Sequence, residues 1–78
     1  MPADQTDRIN SARVALGRQL RALRLDANLT QERLAERSGL DRSTIQRIEG
    51  GYNDPKFSHL FVLADALKVP LRDLMPRS

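Results

Sequence analysis

The stretch Thr30–Gly51, "TQERLAERSGLDRSTIQRIEGG", decides the fold. Its apolar residues Leu34, Ala35, Leu40, Ile45 and Ile48 recur at helical spacing, yet "SGLDRS" in its middle interrupts the pattern with serine, glycine and aspartate. Gly39 takes positive φ without a Cβ clash, so it closes a helix that runs from Gln31 to about Arg37. Asp41 then stands where a cap for a second helix is needed. In that second helix Ile45 and Ile48 point inward, while Arg42, Ser43, Gln46 and Arg47 point outward. The sequence therefore spells two short helices, a tight turn between them, and a polar face on the later one.

Outward from this stretch, the chain reads as all-α. The opening "MPADQTD" is polar, contains a proline and has nothing to bury, which predicts a flexible tail over residues 1–8. A first helix is expected to start between Asp7 and Ser11. Ile9, Ala12, Leu16, Leu20, Leu23 and Ala27 follow at three- and four-residue steps and predict one buried face, with Arg13, Arg18 and Arg21 largely off it. "DANLT" ends that helix, Asn28 as a left-handed stop and Thr30 as the cap of the next. Downstream, "NDPKF" predicts Asp54 as a cap and Pro55 at the first position of a fourth helix. Phe57, Leu60, Leu63, Ala64 and Leu67 would face inward from it. Pro70 would open a short fifth helix that packs Leu71 and Leu74, and Pro76 would end it. The expected fold is a single compact five-helix domain over residues 9–76.

With 78 residues, 40% of them hydrophobic and 29% charged, the chain has the composition of a globular domain, with a thin core. It holds no cysteine, which excludes disulfides, thiolate nucleophiles and cysteine-based metal sites. No stretch has the apolar core of a signal peptide or the ~20 apolar residues of a membrane span, so the expectation is a cytoplasmic protein without a membrane partner. The formal charge is +3, and the excess sits in the middle of the chain, between Arg8 and Gly50. All but two of the 13 basic residues are arginine, the exceptions being Lys56 and Lys68. Arginine presents a planar fork of donors suited to phosphates and guanine edges.

Two short helices joined by a glycine-containing turn constitute a helix-turn-helix. The second helix must protrude far enough to enter a major groove about 12 Å wide while the first braces it across the backbone, and one continuous helix could not do both. "LTQERLAERSGLDRSTIQRIEGG", followed by "DPKFSHLFVLADALKVPLRDLM", closely resembles the Cro-type or XRE-type, lambda-repressor-like helix-turn-helix domains of phage repressors, restriction-modification controllers and small bacterial regulators. The resemblance covers about residues 12 to 75. It rests on elements that agree in order: Thr30-Gln31, Leu34-Ala35, Gly39, Ser43-Thr44-Ile45, Ile48-Glu49, Gly51, Pro55, and the leucine-alanine-leucine pattern after it.

The resemblance implies sequence-specific binding of double-stranded DNA, commonly as a dimer on a near-palindromic operator. Position by position, it implies that Gln31 meets a phosphate at the start of the second helix and that Arg42, Ser43 and Arg47 read bases. Thr44 and Gln46 would serve as phosphate or secondary base contacts. It also implies an ion pair between Arg24 and Glu49 that joins the first and third helices beside the DNA surface. Two departures stand out. Arg33 occupies the place of the acid or glutamine that would complete a capping box, so that reciprocal bond is lost. Gly50 stands where relatives often carry a long polar or basic side chain, and Tyr52 and Lys56 in the following loop could replace its phosphate contact.

Phe61 and Val62 lie off the inward stripe of the fourth helix, and exposed apolar residues of that size suggest an interface. With Leu71, Leu74 and Met75 they predict a two-fold dimer; the alternative is packing within the chain against the first helix. His59, the lone histidine, has no metal-ligating companion, and no nucleophile-base pair, phosphate loop or cofactor motif is present, so neither an enzyme nor a small-molecule ligand is expected. The reading of a different class is an antitoxin or adaptor that uses the same fold to grip a partner protein.

Overall fold

The computed structural model describes residues 2–76, which form four α-helices and one 3-10 turn. These are α1 (Pro2–Asp26), α2 (Gln31–Ser38), α3 (Arg42–Glu49) and α4 (Phe57–Leu67), followed by the turn Leu71–Asp73. No strand occurs among the described residues.

Each boundary in the middle of the chain has a local cause. Asn28 adopts φ 58° behind α1. The Thr30 hydroxyl oxygen accepts from the Arg33 amide at 3.0 Å, which satisfies one free N–H of the α2 N-terminus. Gly39 takes φ 78° and its amide donates to the Ala35 carbonyl at 2.9 Å. Asp41 occupies the cap position of α3, but its carboxylate makes no capping bond; its carbonyl instead accepts from Thr44 and Ile45.

Other boundaries differ from the sequence expectation. Helix α1 begins at Pro2, well before Asp7: proline suits a first helical turn, and nothing between residues 3 and 8 breaks a helix. The expected tail over 1–8 is thus helical from its second residue. Ile9, Ala12 and Ala27 are exposed instead of buried. A 25-residue helix is about 37 Å long, close to the 40 Å long axis of the molecule, whose other extents are 22 and 20 Å. Its first turns outrun the elements that could cover them.

Helix α4 starts at Phe57 with Lys56 in the cap position, so Asp54 and Pro55 belong to the preceding loop. Phe57, expected inside, is 68% exposed, and its ring faces that of Phe61 one turn on, centroids 6.4 Å apart. In place of a fifth α-helix the chain makes one 3-10 turn, because Pro70 and Pro76 leave room for only the bonds Asp73 to Pro70, Leu74 to Leu71 and Met75 to Arg72.

The core is leucine and isoleucine, with one alanine, drawn from all four α-helices and the segments beside them: Leu16 and Leu20 of α1, Leu29, Leu34 of α2, Ile45 and Ile48 of α3, Leu60, Leu63, Ala64 and Leu67 of α4, and Leu74 just after the 3-10 turn. Gly17 makes the α1–α3 crossing possible. A Cβ there would stand 2.6 Å from the Glu49 carbonyl oxygen and closer still to that of Ile48, so only glycine lets the two backbones approach this far.

Candidate nucleic-acid interface

Helices α2 and α3 are eight residues each, and three residues, Gly39 to Asp41, connect them. The Ser38 hydroxyl tightens this turn: it donates to the Ala35 carbonyl at 3.4 Å and accepts from the Leu40 amide at 3.3 Å. Buried Ile45 and Ile48 and half-buried Thr44 anchor α3 from within. Arg42, Ser43, Gln46 and Arg47 are all exposed. Their i, i+1, i+4, i+5 spacing puts two guanidiniums, a hydroxyl and a carboxamide on one protruding face. Those groups can donate to and accept from base edges in a major groove.

The base of this face is pinned by a buried ion pair. Arg24 donates from Nε to Glu49 Oε2 at 2.7 Å and from Nη2 to Oε1 at 3.0 Å, the two side chains being 9% and 5% exposed. Its remaining Nη1 donates to the Leu29 carbonyl at 2.9 Å, so one guanidinium ties α1 to both the end of α3 and the entrance of α2. Hydrogen bonding to Glu49 raises the Arg24 pKa, outweighing the opposing effect of burial. Gln31 joins the cluster through Nε2 to Glu49 Oε1 at 3.1 Å, which fixes the first side chain of α2 at the edge of the same surface.

Beyond α3 the loop of residues 50–56 carries Tyr52, 79% exposed, and exposed Lys56. The Tyr52 ring lies over Gly50: a Cβ on Gly50 would come within 2.6 Å of Tyr52 Cδ2. The missing side chain at 50 is thus covered by the aromatic two residues later. The loop rests on α1, where Val14 packs under Gly51 and Arg13 Nε donates to Asp54 Oδ1 at 2.6 Å. Arg13 also donates through Nη1 to Asn10 at 2.8 Å. Hydrogen bonding and charge from Arg13 hold the Asp54 carboxyl below the usual carboxylate range.

Sequence reasoning missed Gly17 and the Arg13–Asp54 pair. An isolated glycine inside a helical apolar pattern signals close backbone approach and could have flagged Gly17. Nothing local links residues 13 and 54.

The residues expected at a dimer interface divide. Leu74 is 0% exposed and belongs to the core of its own chain, so it cannot line a contact with another. Leu71 and Val62 are half-buried. Phe61 and Met75 remain exposed at 57% and 46%. Among the described residues no group of three or more His, Cys, Asp or Glu side chains could hold a metal, and no helix is long and apolar enough to cross a membrane.

Residues 20–74 match the family model HTH_3, helix-turn-helix. The chain is 45% identical over 62 residues to the HTH-type transcriptional repressor RghR of Bacillus subtilis strain 168, an alignment covering 78% of this chain and 46% of that protein. It is 37% identical over 71 residues to an uncharacterized transcriptional regulator in the ATPase CF(0) region of Rhodospirillum rubrum, covering 91% of this chain and 66% of that one. Among solved structures, the restriction-modification controller protein C.AhdI from Aeromonas hydrophila superposes with a TM-score of 0.81 at 38% identity, over 83% of this chain and 98% of that chain. This chain thus spans less than half the length of RghR and about two thirds of the Rhodospirillum protein.

Proposed function

The chain belongs to the helix-turn-helix family HTH_3, and on that premise we propose that it is a sequence-specific double-stranded DNA-binding transcriptional regulator. The observation that carries this reading is the face of α3: four polar side chains, Arg42, Ser43, Gln46 and Arg47, exposed on a helix whose opposite side is locked into the core. Helix α3 enters the major groove. Arg42, Ser43 and Arg47 meet base edges, and Thr44 and Gln46 contact phosphates or neighbouring bases. Gln31, Tyr52 and Lys56 hold the backbone on either side.

The active unit is a homodimer joined through Phe61, Val62, Leu71 and Met75, which sets two α3 helices into successive major grooves ~34 Å apart on a near-palindromic operator. Repression follows when that operator overlaps a promoter. The names of RghR and C.AhdI, a transcriptional repressor and a controller protein, support this direction.

The test is footprinting on the DNA upstream of the protein's own gene, with a salt titration of the affinity. A dimer neutralising about six phosphates gives a log–log slope near −5. A slope near zero, or a stoichiometric protein partner with no DNA retardation at low salt, overturns the reading.

A further inference from the structure

We propose that Arg13 is a determinant of DNA affinity that acts at one remove, by cancelling the charge of Asp54 on the loop behind the DNA-reading helix. This rests on the DNA-binding reading above. The loop of residues 50–56, "GGYNDPK", carries a single acid, Asp54, between Tyr52 and Lys56, the two side chains that the proposed function assigns to the DNA backbone. Asp54 caps nothing: α4 begins three residues later and its start has no side-chain cap. Its side chain is 75% exposed, so an unpaired carboxylate there would project its field over the same surface that phosphates approach.

Arg13 removes that field. Its Nε lies 2.6 Å from Asp54 Oδ1, and its Nη1 is steadied by Asn10 Oδ1 at 2.8 Å. Val14, next in the helix, packs under Gly51 and sets the distance between helix and loop: a Cβ on Gly51 would lie 3.1 Å from Val14 Cγ2. Asn10, Arg13 and Val14 all precede residues 20–74, the span matched by the family model. The first-helix half of the device therefore lies outside the matched span, while Gly51 and Asp54, the groups it acts on, lie within it.

The geometry separates a charge role from a purely structural one. Where the pair only holds the loop in shape, losing either partner weakens binding equally. Where Arg13 cancels Asp54, the two losses have opposite signs. The experiment measures affinity of the full chain for a mixed-sequence DNA duplex at low salt by fluorescence anisotropy, with a thermal melt of each variant. Arg13→Ala is expected to bind about three- to tenfold more weakly, the scale of one uncancelled charge near a phosphate at the surface, and the difference should shrink as salt rises. Asp54→Asn should bind at least as tightly as the wild type, the double variant R13A/D54N should return to within about twofold of it, and Arg13→Lys should retain affinity. Equal losses in R13A and D54N with no recovery in the double variant overturn the proposal, as does an R13A variant that binds normally. A wild-type chain that fails to bind duplex at low salt overturns the DNA-binding reading itself.

Discussion

The Arg24 guanidinium grips both carboxylate oxygens of Glu49, at 2.7 and 3.0 Å, inside a contact that water scarcely reaches. The pair joins the last turn of the chain's longest helix to the last residue of α3. Removing one partner leaves the other charge buried without compensation. Glu49→Ala is therefore expected to lower stability by about 3–5 kcal/mol, a large share of the ~5–15 kcal/mol typical of a whole domain. Urea denaturation measures it. A loss under about 1 kcal/mol, the range of exposed pairs, would mean that solvent screens the contact.

Gly17→Ala sets helix propensity against space. Alanine is the better helix former by about 1 kcal/mol, but its methyl would stand 2.6 Å from the Glu49 carbonyl oxygen and force α3 away from α1. Overpacking costs of about 1–3 kcal/mol should win, since the obstacle is backbone and not a side chain that can rotate aside. The expected result is a lower melting temperature together with weakened DNA binding. A rise in melting temperature would refute the close approach.

Arg47→Ala should cost about 1–3 kcal/mol on the cognate operator and little on random duplex. Equal losses on both would reassign Arg47 to phosphate. Paired binding curves on the two DNAs decide it.

Leu74 and Phe61 make contrasting predictions. Leu74 is wholly inside the chain, so Leu74→Ala should destabilise the fold by about 2–5 kcal/mol. Phe61 is 57% exposed, and Phe61→Glu should leave helical content and melting of the isolated subunit unchanged while sedimentation equilibrium shifts toward monomer. A variant dimer as tight as the wild type would move the interface elsewhere.

Residues 30–51 were readable in sequence because local chemistry dictates them. Gly39 supplies a backbone angle, Thr30 a cap, and the spacing of Leu34, Ile45 and Ile48 an inward face. Reading failed where a residue's fate depends on something distant. Ile9 and Ala12 fit a buried stripe, but no element reaches far enough to bury them. Asp54 beside Pro55 looks like a helix cap, yet its carboxylate goes to an arginine 41 residues away. Leu74 and Met75 are neighbours of similar size, and only tertiary packing hides the first and leaves the second at the surface. The face of α3 was legible because it follows from periodicity; the brace behind the loop was not, because no short-range signal encodes it.

The Tyr52 ring and the empty position at Gly50 share one small volume. For an evolving sequence the two positions are therefore coupled in one direction: a side chain acquired at 50 requires the exposed aromatic at 52 to swing aside, whereas 52 can vary freely while 50 stays glycine. Randomising the two together explores how this edge of the surface can be rebuilt, and the pairs that survive should trade bulk at one position for bulk at the other.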